Sequence, residues 1–171
     1  MRIAQCIASA AIAALLAGCG IKEGVRDLVG LDDTTAYSGP VYPATHTTEV
    51  AFQPAQVDSA CRVFAQALAF LPSGLSGQEV ATTLLAEAGQ RGADGILVGR
   101  ARVGEGKSTR FMYFGPVYPY LCTEQCGSWK FGYEIWEKQG PWIPLGYGEW
   151  GNAQSRFDTP LTIQLLLLRC Q

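Results

Sequence analysis

The chain is poor in the residues from which most catalytic and metal sites are made. It has one histidine, His46, in 171 residues. A nucleophilic triad needs an imidazole beside its nucleophile. His46 stands among Thr45, Thr47 and Thr48 in a stretch without periodicity, so it reads as a solvated linker residue. No metal site and no cofactor is expected. Charge is scarce too: 13 basic and 15 acidic residues give a net charge of −2. A nucleic-acid partner requires a basic stripe to neutralise phosphates, and none is present. Long apolar runs are missing after the first 19 residues. Leu165 to Leu168 is only four leucines between Gln164 and Arg169, far short of the ~18 that suggest a spanning helix. Apolar residues nonetheless make up 48% of the chain, with four Trp, seven Tyr and seven Phe. That is the composition of one globular domain rather than of a disordered chain.

The first 19 residues, MRIAQCIASAAIAALLAGC, have the parts of an export signal. Arg2 is the positive start and Ile7 to Leu16 the short apolar core, and small residues follow. Leu16-Ala17-Gly18-Cys19 resembles the bacterial lipobox at all four positions. That resemblance implies a diacylglycerol thioether on Cys19 and cleavage between Gly18 and Cys19, so that residues 1–18 are a lipoprotein signal peptide. Removing Arg2 leaves 12 basic and 15 acidic residues. Gly20 after the lipidated cysteine, in place of Asp, favours the outer membrane, with the domain facing the periplasm; inner-membrane retention and surface exposure stay open. Two or three acyl chains would anchor the chain essentially permanently.

Residues 19–48 read as the lipidated tether, and residues 49–171 as a single periplasmic domain. About 28 residues of tether reach on the order of 90 Å at full extension. Docking of Tyr37 to Pro43 on the domain remains an open alternative. That stretch holds Gly39-Pro40-Val41-Tyr42-Pro43, and the same five letters recur at Gly115-Pro116-Val117-Tyr118-Pro119. Proline fixes φ and keeps its neighbour extended, so both copies are stiff, non-helical strips. The spacing reads as local turn chemistry rather than as a repeat, with a pair of related binding strips as the alternative.

The predicted fold class is α+β: a small, mostly antiparallel sheet with one main helix over about residues 76–91 and aromatic-rich C-terminal strands. Ser76 and Glu79 have capping-box spacing, and Val80, Leu84, Leu85 and Ala88 form one apolar stripe. Glu49 to Phe52, Ile96 to Val103 and Leu161 to Cys170 read as strands; Cys61 to Leu71 leans to a strand by its small-large alternation, while its alanines leave a helix open. Trp129, Phe131, Tyr133 and Ile135 alternate with Lys130, Gly132, Glu134 and Trp136, a strand pattern, and Trp142 to Trp150 reads as its returning partner. The order of a Cys-bearing strand, an amphipathic helix and a buried strand rests on Ala81, Leu85, Ala88, Gly92-Ala93-Asp94 and Ile96 to Val98. It is similar to small bacterial envelope proteins of the Rcs stress-sensor lipoprotein and YbjQ-like type. The similarity covers about 50 residues and implies fold class alone.

Four cysteines remain once Cys6 leaves with the signal and Cys19 takes lipid: Cys61, Cys122, Cys126 and Cys170. An even count in an exported chain points to two disulfides. Cys122–Cys126 with Cys61–Cys170 is preferred, and Cys61–Cys122 with Cys126–Cys170 remains open. A four-thiolate zinc site is disfavoured because Cys61 and Cys170 lack neighbouring cysteines. Ala101-x4-Gly106-Lys107-Ser108 matches a relaxed phosphate-binding loop, but the following residues are strand-like where that loop needs a helix. It reads as a polar hairpin loop. Glu134, Glu137, Glu149 and Asp158 are the carboxylates dense among aromatics, the composition of a glycan cleft, and would act only if paired across one. Trp136, Trp142 and Trp150 stand beside Gly, Pro and charges and are the candidate interaction surface.

These features point to a non-enzymatic lipoprotein. It would be held by membrane lipid through Cys19 and would meet an envelope protein or a glycan. A glycan- or peptidoglycan-binding or -hydrolysing protein, and an accessory part of a secretion or appendage machine, are the alternatives.

Overall fold

A computed structural model describes residues 37–170. The elements are β1 (Glu49–Ala51), β2 (Arg62–Leu71), β3 (Leu75–Ser76), α1 (Gly77–Gln90), β4 (Gly95–Val103), β5 (Arg110–Tyr113), β6 (Tyr120–Leu121), α2 (Cys122–Gln125), α3 (Tyr133–Trp136), β7 (Trp142–Ile143), β8 (Arg156–Phe157) and β9 (Leu161–Arg169). The main sheet runs β1-β4-β9-β2-β5, with β6 added to β2 and β7 to β4. Among the described residues only β1 and β4 pair in parallel. The predicted α+β class, with a mostly antiparallel sheet and one main helix, is therefore what the chain adopts.

The helix starts where its capping box places it. The Ser76 hydroxyl accepts from the Glu79 amide, while the Glu79 carboxylate accepts from the Ser76 amide at 2.7 Å. Such a box satisfies two of the amides that a helix start leaves without partners. Val80, Ala81, Leu84 and Ala88 turn inward, and Leu85 is half-buried. They pack on the side of β2 that carries Ala65, Ala67 and Ala69. Those three small residues let the helix sit close to the sheet.

The opposite face of the sheet is covered as well. Val63, Leu68, Phe70, Leu97, Leu166 and Leu168 lie beneath Phe131 and Trp136, with Phe114 and Trp129 packed alongside. Burial on both faces accounts for the unbroken run Leu165 to Leu168, because neither side of a central strand meets water.

This second layer is a correction to the expected strand pair in the aromatic third. Residues 129–136 form turns and the short helix α3, not a strand. Gly127 at φ 92°, Trp129 at φ 47° and Gly132 at φ 59° break the extended path. The Trp136 amide then closes on the Gly132 carbonyl at 2.9 Å. The expected return strand over residues 142–150 shrinks to the two residues of β7. The aromatic alternation thus records a cap pressed onto the sheet, not a pleat within it.

The expected tether also changes. Tyr37 to Thr48 is packed on the domain. The Thr45 amide bonds to the Gly89 carbonyl at 3.0 Å and the Thr48 hydroxyl to the Ala93 carbonyl at 3.1 Å. Tyr42 stacks edge-on against Phe64, with ring centroids 5.0 Å apart. Gly92, at φ 79°, leaves room for this strap: a Cβ there would lie 2.5 Å from the Pro43 carbonyl oxygen. Residues 104–109, expected as a hairpin loop, join strands at different places in the sheet and cross the ends of β9 and β2. Strand β5 follows Lys107, where a phosphate-binding loop would need a helix.

Candidate functional site

The cap is held to the sheet by polar side chains rising from the strands beneath it. The Gln164 amide donates to the Trp129 carbonyl at 3.1 Å, and Arg102 Nη1 donates to the Trp136 carbonyl at 2.9 Å. The Thr162 hydroxyl donates to Gln139 Oε1 at 2.8 Å, and Gln139 Nε2 donates onward to the Ile135 carbonyl at 2.9 Å. Thr162 and Gln164 have no exposed surface at all. Buried polar groups are costly unless bonded in this way, and Gln164 Oε1 and Arg102 Nε are left without a partner here. Gly99 completes the fit: a Cβ there would stand 2.6 Å from the Trp129 ring.

Arg100 and Arg102 lie on β4 and meet the tryptophans predicted as an interaction surface. The Arg102 guanidinium is 4.5 Å from the Trp142 ring centre and 5.2 Å from that of Trp136, and Arg100 is 5.1 Å from Trp142. Trp136 and Trp142 contact each other edge-on at 5.6 Å. Stacked arginines hold aromatic rings by attraction to the π face. Of the three predicted tryptophans, only Trp142 is presented strongly, at 51% exposure. Trp136 is 4% exposed and belongs to the cap's underside, because its neighbours seal it against the sheet. Trp150 is half-buried and sits elsewhere, packed on Phe52 at 5.6 Å together with Tyr147. The structure therefore joins Trp136 to Trp142 and leaves Trp150 apart. The two arginines were missed in the sequence; the Arg-x-Arg spacing on an apolar strand was the available signal.

The cysteines form the preferred pairs. Cys61 and Cys170 are bonded at 2.00 Å, and Cys122 and Cys126 at 2.07 Å. Residues four apart on a helical turn share a face, which is how α2 brings the second pair together. Asp94 supports the first pair: it accepts from the Cys170 amide at 3.0 Å and from Arg169 Nη1 at 3.0 Å. Cys19 lies outside the described residues.

The predicted carboxylates are spread out. Glu134 and Glu137 are exposed at and just after α3. Glu149 and Asp158 both border a cavity of about 360 Å³, with Ile143, Arg156 and Phe157. One Glu149 oxygen already accepts from the Gly146 amide at 2.9 Å. A larger cavity, about 780 Å³, lies over the sheet end between β1 and the residue 55–60 loop, bordered by Glu49, Asp58, Asp94 and the Cys61–Cys170 bridge. No group of three His, Cys, Asp or Glu among the described residues is placed to hold a metal ion.

The strongest titration effects sit at the strap. Arg91 Nε donates to Glu87 Oε1 at 2.8 Å, and the Tyr113 hydroxyl donates to the same oxygen at 2.6 Å. The Arg91 guanidinium lies 5.1 Å from the Tyr37 ring centre and 5.2 Å from that of Tyr113. Burial pushes the Tyr37 hydroxyl up to about 12, against an opposing pull from Arg91. Burial and the Glu87 carboxylate push Tyr113 further up. The cluster of Tyr37, Glu87, Arg91 and Tyr113 thus ties the strap to α1 and β5.

Comparison with protein-family models, with curated proteins and with solved structures finds no match.

Proposed function

We propose that the chain is a lipid-anchored envelope lipoprotein whose domain serves a non-enzymatic interaction or structural role at the periplasmic side of the outer membrane. The observation that carries this reading is Leu16-Ala17-Gly18-Cys19, a full lipobox placed directly after an apolar export core. Two cystines in the domain support it, because such bonds persist in an oxidising compartment. Among the described residues no helix is long and apolar enough to cross a membrane. The test is mass spectrometry of the N-terminal peptide from cells, with fractionation of wild type and Cys19→Ser. Acyl groups on Cys19, and loss of membrane retention in the variant, would support the reading. An unmodified Cys19, or unchanged retention, would sink it.

A second reading, a glycan-binding or glycan-cleaving domain, draws on one observation: Glu149 and Asp158 border the same cavity. It predicts that Glu149→Gln with Asp158→Asn abolishes retention or cleavage of purified peptidoglycan while the thermal midpoint stays within a few degrees. Equal behaviour of variant and wild type on peptidoglycan would remove it.

A further inference from the structure

The repeated pentapeptide has a shared location that neither the cap nor the cavities use. Its second copy runs along the outer edge of β2. The Phe114 amide bonds to the Gln66 carbonyl at 2.9 Å and the Gln66 amide to the Gly115 carbonyl at 2.6 Å. Beyond the arch, Tyr120 and Leu121 pair with Val63 and Arg62. The first copy follows the same stretch of β2 on its helix side. Tyr37 meets Tyr113, which pairs with Ala67, at 4.9 Å, and Tyr42 meets Phe64 at 5.0 Å. Both strips therefore flank residues 62–67 of one strand. Their outward side chains are Val41, Val117 and Tyr118, at 87%, 83% and 81% exposure. These are the three most exposed large apolar residues of the described chain, ahead of Tyr147, Tyr133 and Trp142.

We propose that this edge is a membrane-contact face, and that Val41, Val117 and Tyr118 enter the lipid interface beside the acylated Cys19. The inference rests on the lipoprotein reading above. Three properties favour lipid as the occupant. First, each strip has two prolines in five residues, so it presents few backbone N–H groups that would lose water on entering lipid. Proline also keeps the strips stiff, which lowers the ordering entropy of insertion. Second, neither strip has a carboxylate near it in sequence. Residues 34–48 contain no Asp or Glu, and residues 106–123 contain none either while carrying Lys107 and Arg110, in a chain whose net charge is negative. The Glu87 carboxylate does lie against Tyr113, where Arg91 pairs with it, and Lys107 and Arg110 offer anionic headgroups some attraction. Third, Tyr37, the first described residue, lies at this same edge, and 17 residues of sequence separate it from Cys19. A contact too weak to hold alone becomes populated when the same chain is anchored in the membrane it touches. Tyrosine with its ring in the interface and its hydroxyl among headgroups is the usual arrangement at a bilayer surface.

The test uses the full chain as purified with its acyl groups, inserted into vesicles of phosphatidylethanolamine and phosphatidylglycerol. Amide hydrogen exchange is compared with that of the lipid-free Cys19→Ser chain. The expected result is exchange slowed several-fold in peptides covering residues 37–44 and 113–121, and unchanged around Trp142 and Tyr147. In Val41→Ser/Val117→Ser/Tyr118→Ser the slowing should vanish while the thermal midpoint stays put, since all three side chains are exposed. Unchanged exchange in both strips overturns the inference, as does slowing centred elsewhere. Slowing of the strips in whole envelopes but not on vesicles also overturns it, by assigning the edge to a protein partner. The mass of the purified chain separates the two failures. If Cys19 carries no acyl group, the lipoprotein reading fails on that datum. The same exchange experiment is then run on the Cys6→Ser chain coupled at Cys19 to a maleimide-bearing lipid, where slowing supports the contact face and its absence refutes it.

Discussion

Breaking the bridge between Cys61 and Cys170 should remove about 5 kcal/mol of stability. The bond joins residues 109 apart. The chain-entropy relation for a closed loop of that size gives about 5 kcal/mol at 25 °C, against about 2 kcal/mol for the bridge between Cys122 and Cys126, four residues apart. The native geometry should survive the loss. Strand pairing holds Arg62 opposite Arg169, and Asp94 holds the Cys170 amide. The penalty therefore falls on the unfolded chain, which gains freedom. With domains of this size stable by roughly 5–15 kcal/mol, Cys61→Ala/Cys170→Ala should be close to unfolding at 37 °C. Urea melts followed by tryptophan emission are a direct assay, because Trp129 and Trp136 pack in the cap. The midpoint should fall by about 2–3 M, and by less than half as much for Cys122→Ala/Cys126→Ala. If the short bridge costs as much as the long one, the reasoning from loop length is wrong for this domain.

Other substitutions test other joints of the fold. Gly77→Ala should destabilise by at least about 2–3 kcal/mol in thermal melts, since a Cβ there would lie 1.7 Å from the Glu149 carbonyl oxygen and backbone cannot move aside as a side chain does. Gly99→Ala should cost about 1–3 kcal/mol by the same assay and shift tryptophan emission to the red, because it would push Trp129 off the sheet. Ser76→Ala should cost about 1 kcal/mol. The carboxyl of Glu79 is held below its ordinary 4.5 by the Ser76 amide and hydroxyl, so its contribution is present above that pH and is lost as pH falls through the lowered value; Glu79→Gln should flatten that part of an acid-unfolding curve. Tyr37 behaves in the opposite sense. Its pKa rises from 10.0 to about 12, so its contribution is intact below pH 10 and is lost as pH climbs toward 12. Tyr37→Phe should reduce the slope of alkaline unfolding in that window.

How far the sequence foretold these features differs from element to element. Helix α1 was legible because its start signal is local: Ser76 and Glu79 need only each other. Strands β4 and β9 were legible because burial on both faces leaves a continuous apolar run. The cystine pairs were reachable from cysteine count and context. The cap was not, since Gly132 in the left-handed region makes sense only with Phe114 and Leu68 pressed against it. Nor was the docked strap, whose main hydrogen bonds run from Thr45 and Thr48 to carbonyls of residues 89 and 93. Threonines in a loop carry no sign of which distant backbone they will meet. The tryptophans were singled out by type, yet their exposure depended on Arg100, Arg102 and the cap, and only Trp142 is presented strongly to solvent.

The position of β9 has a bearing on how the molecule comes into being. It lies between β4 and β2 and pairs with both along most of its length. The strand that joins the two halves of the sheet thus comes later in the chain than both of its partners. Until it arrives, β2 and β4 each have a bare apolar edge, and Cys61 waits for a partner more than a hundred residues downstream. A chain made from its N-terminus cannot complete this sheet before β9 is present, and a product cut short before Leu161 lacks the strand that holds β2 to β4.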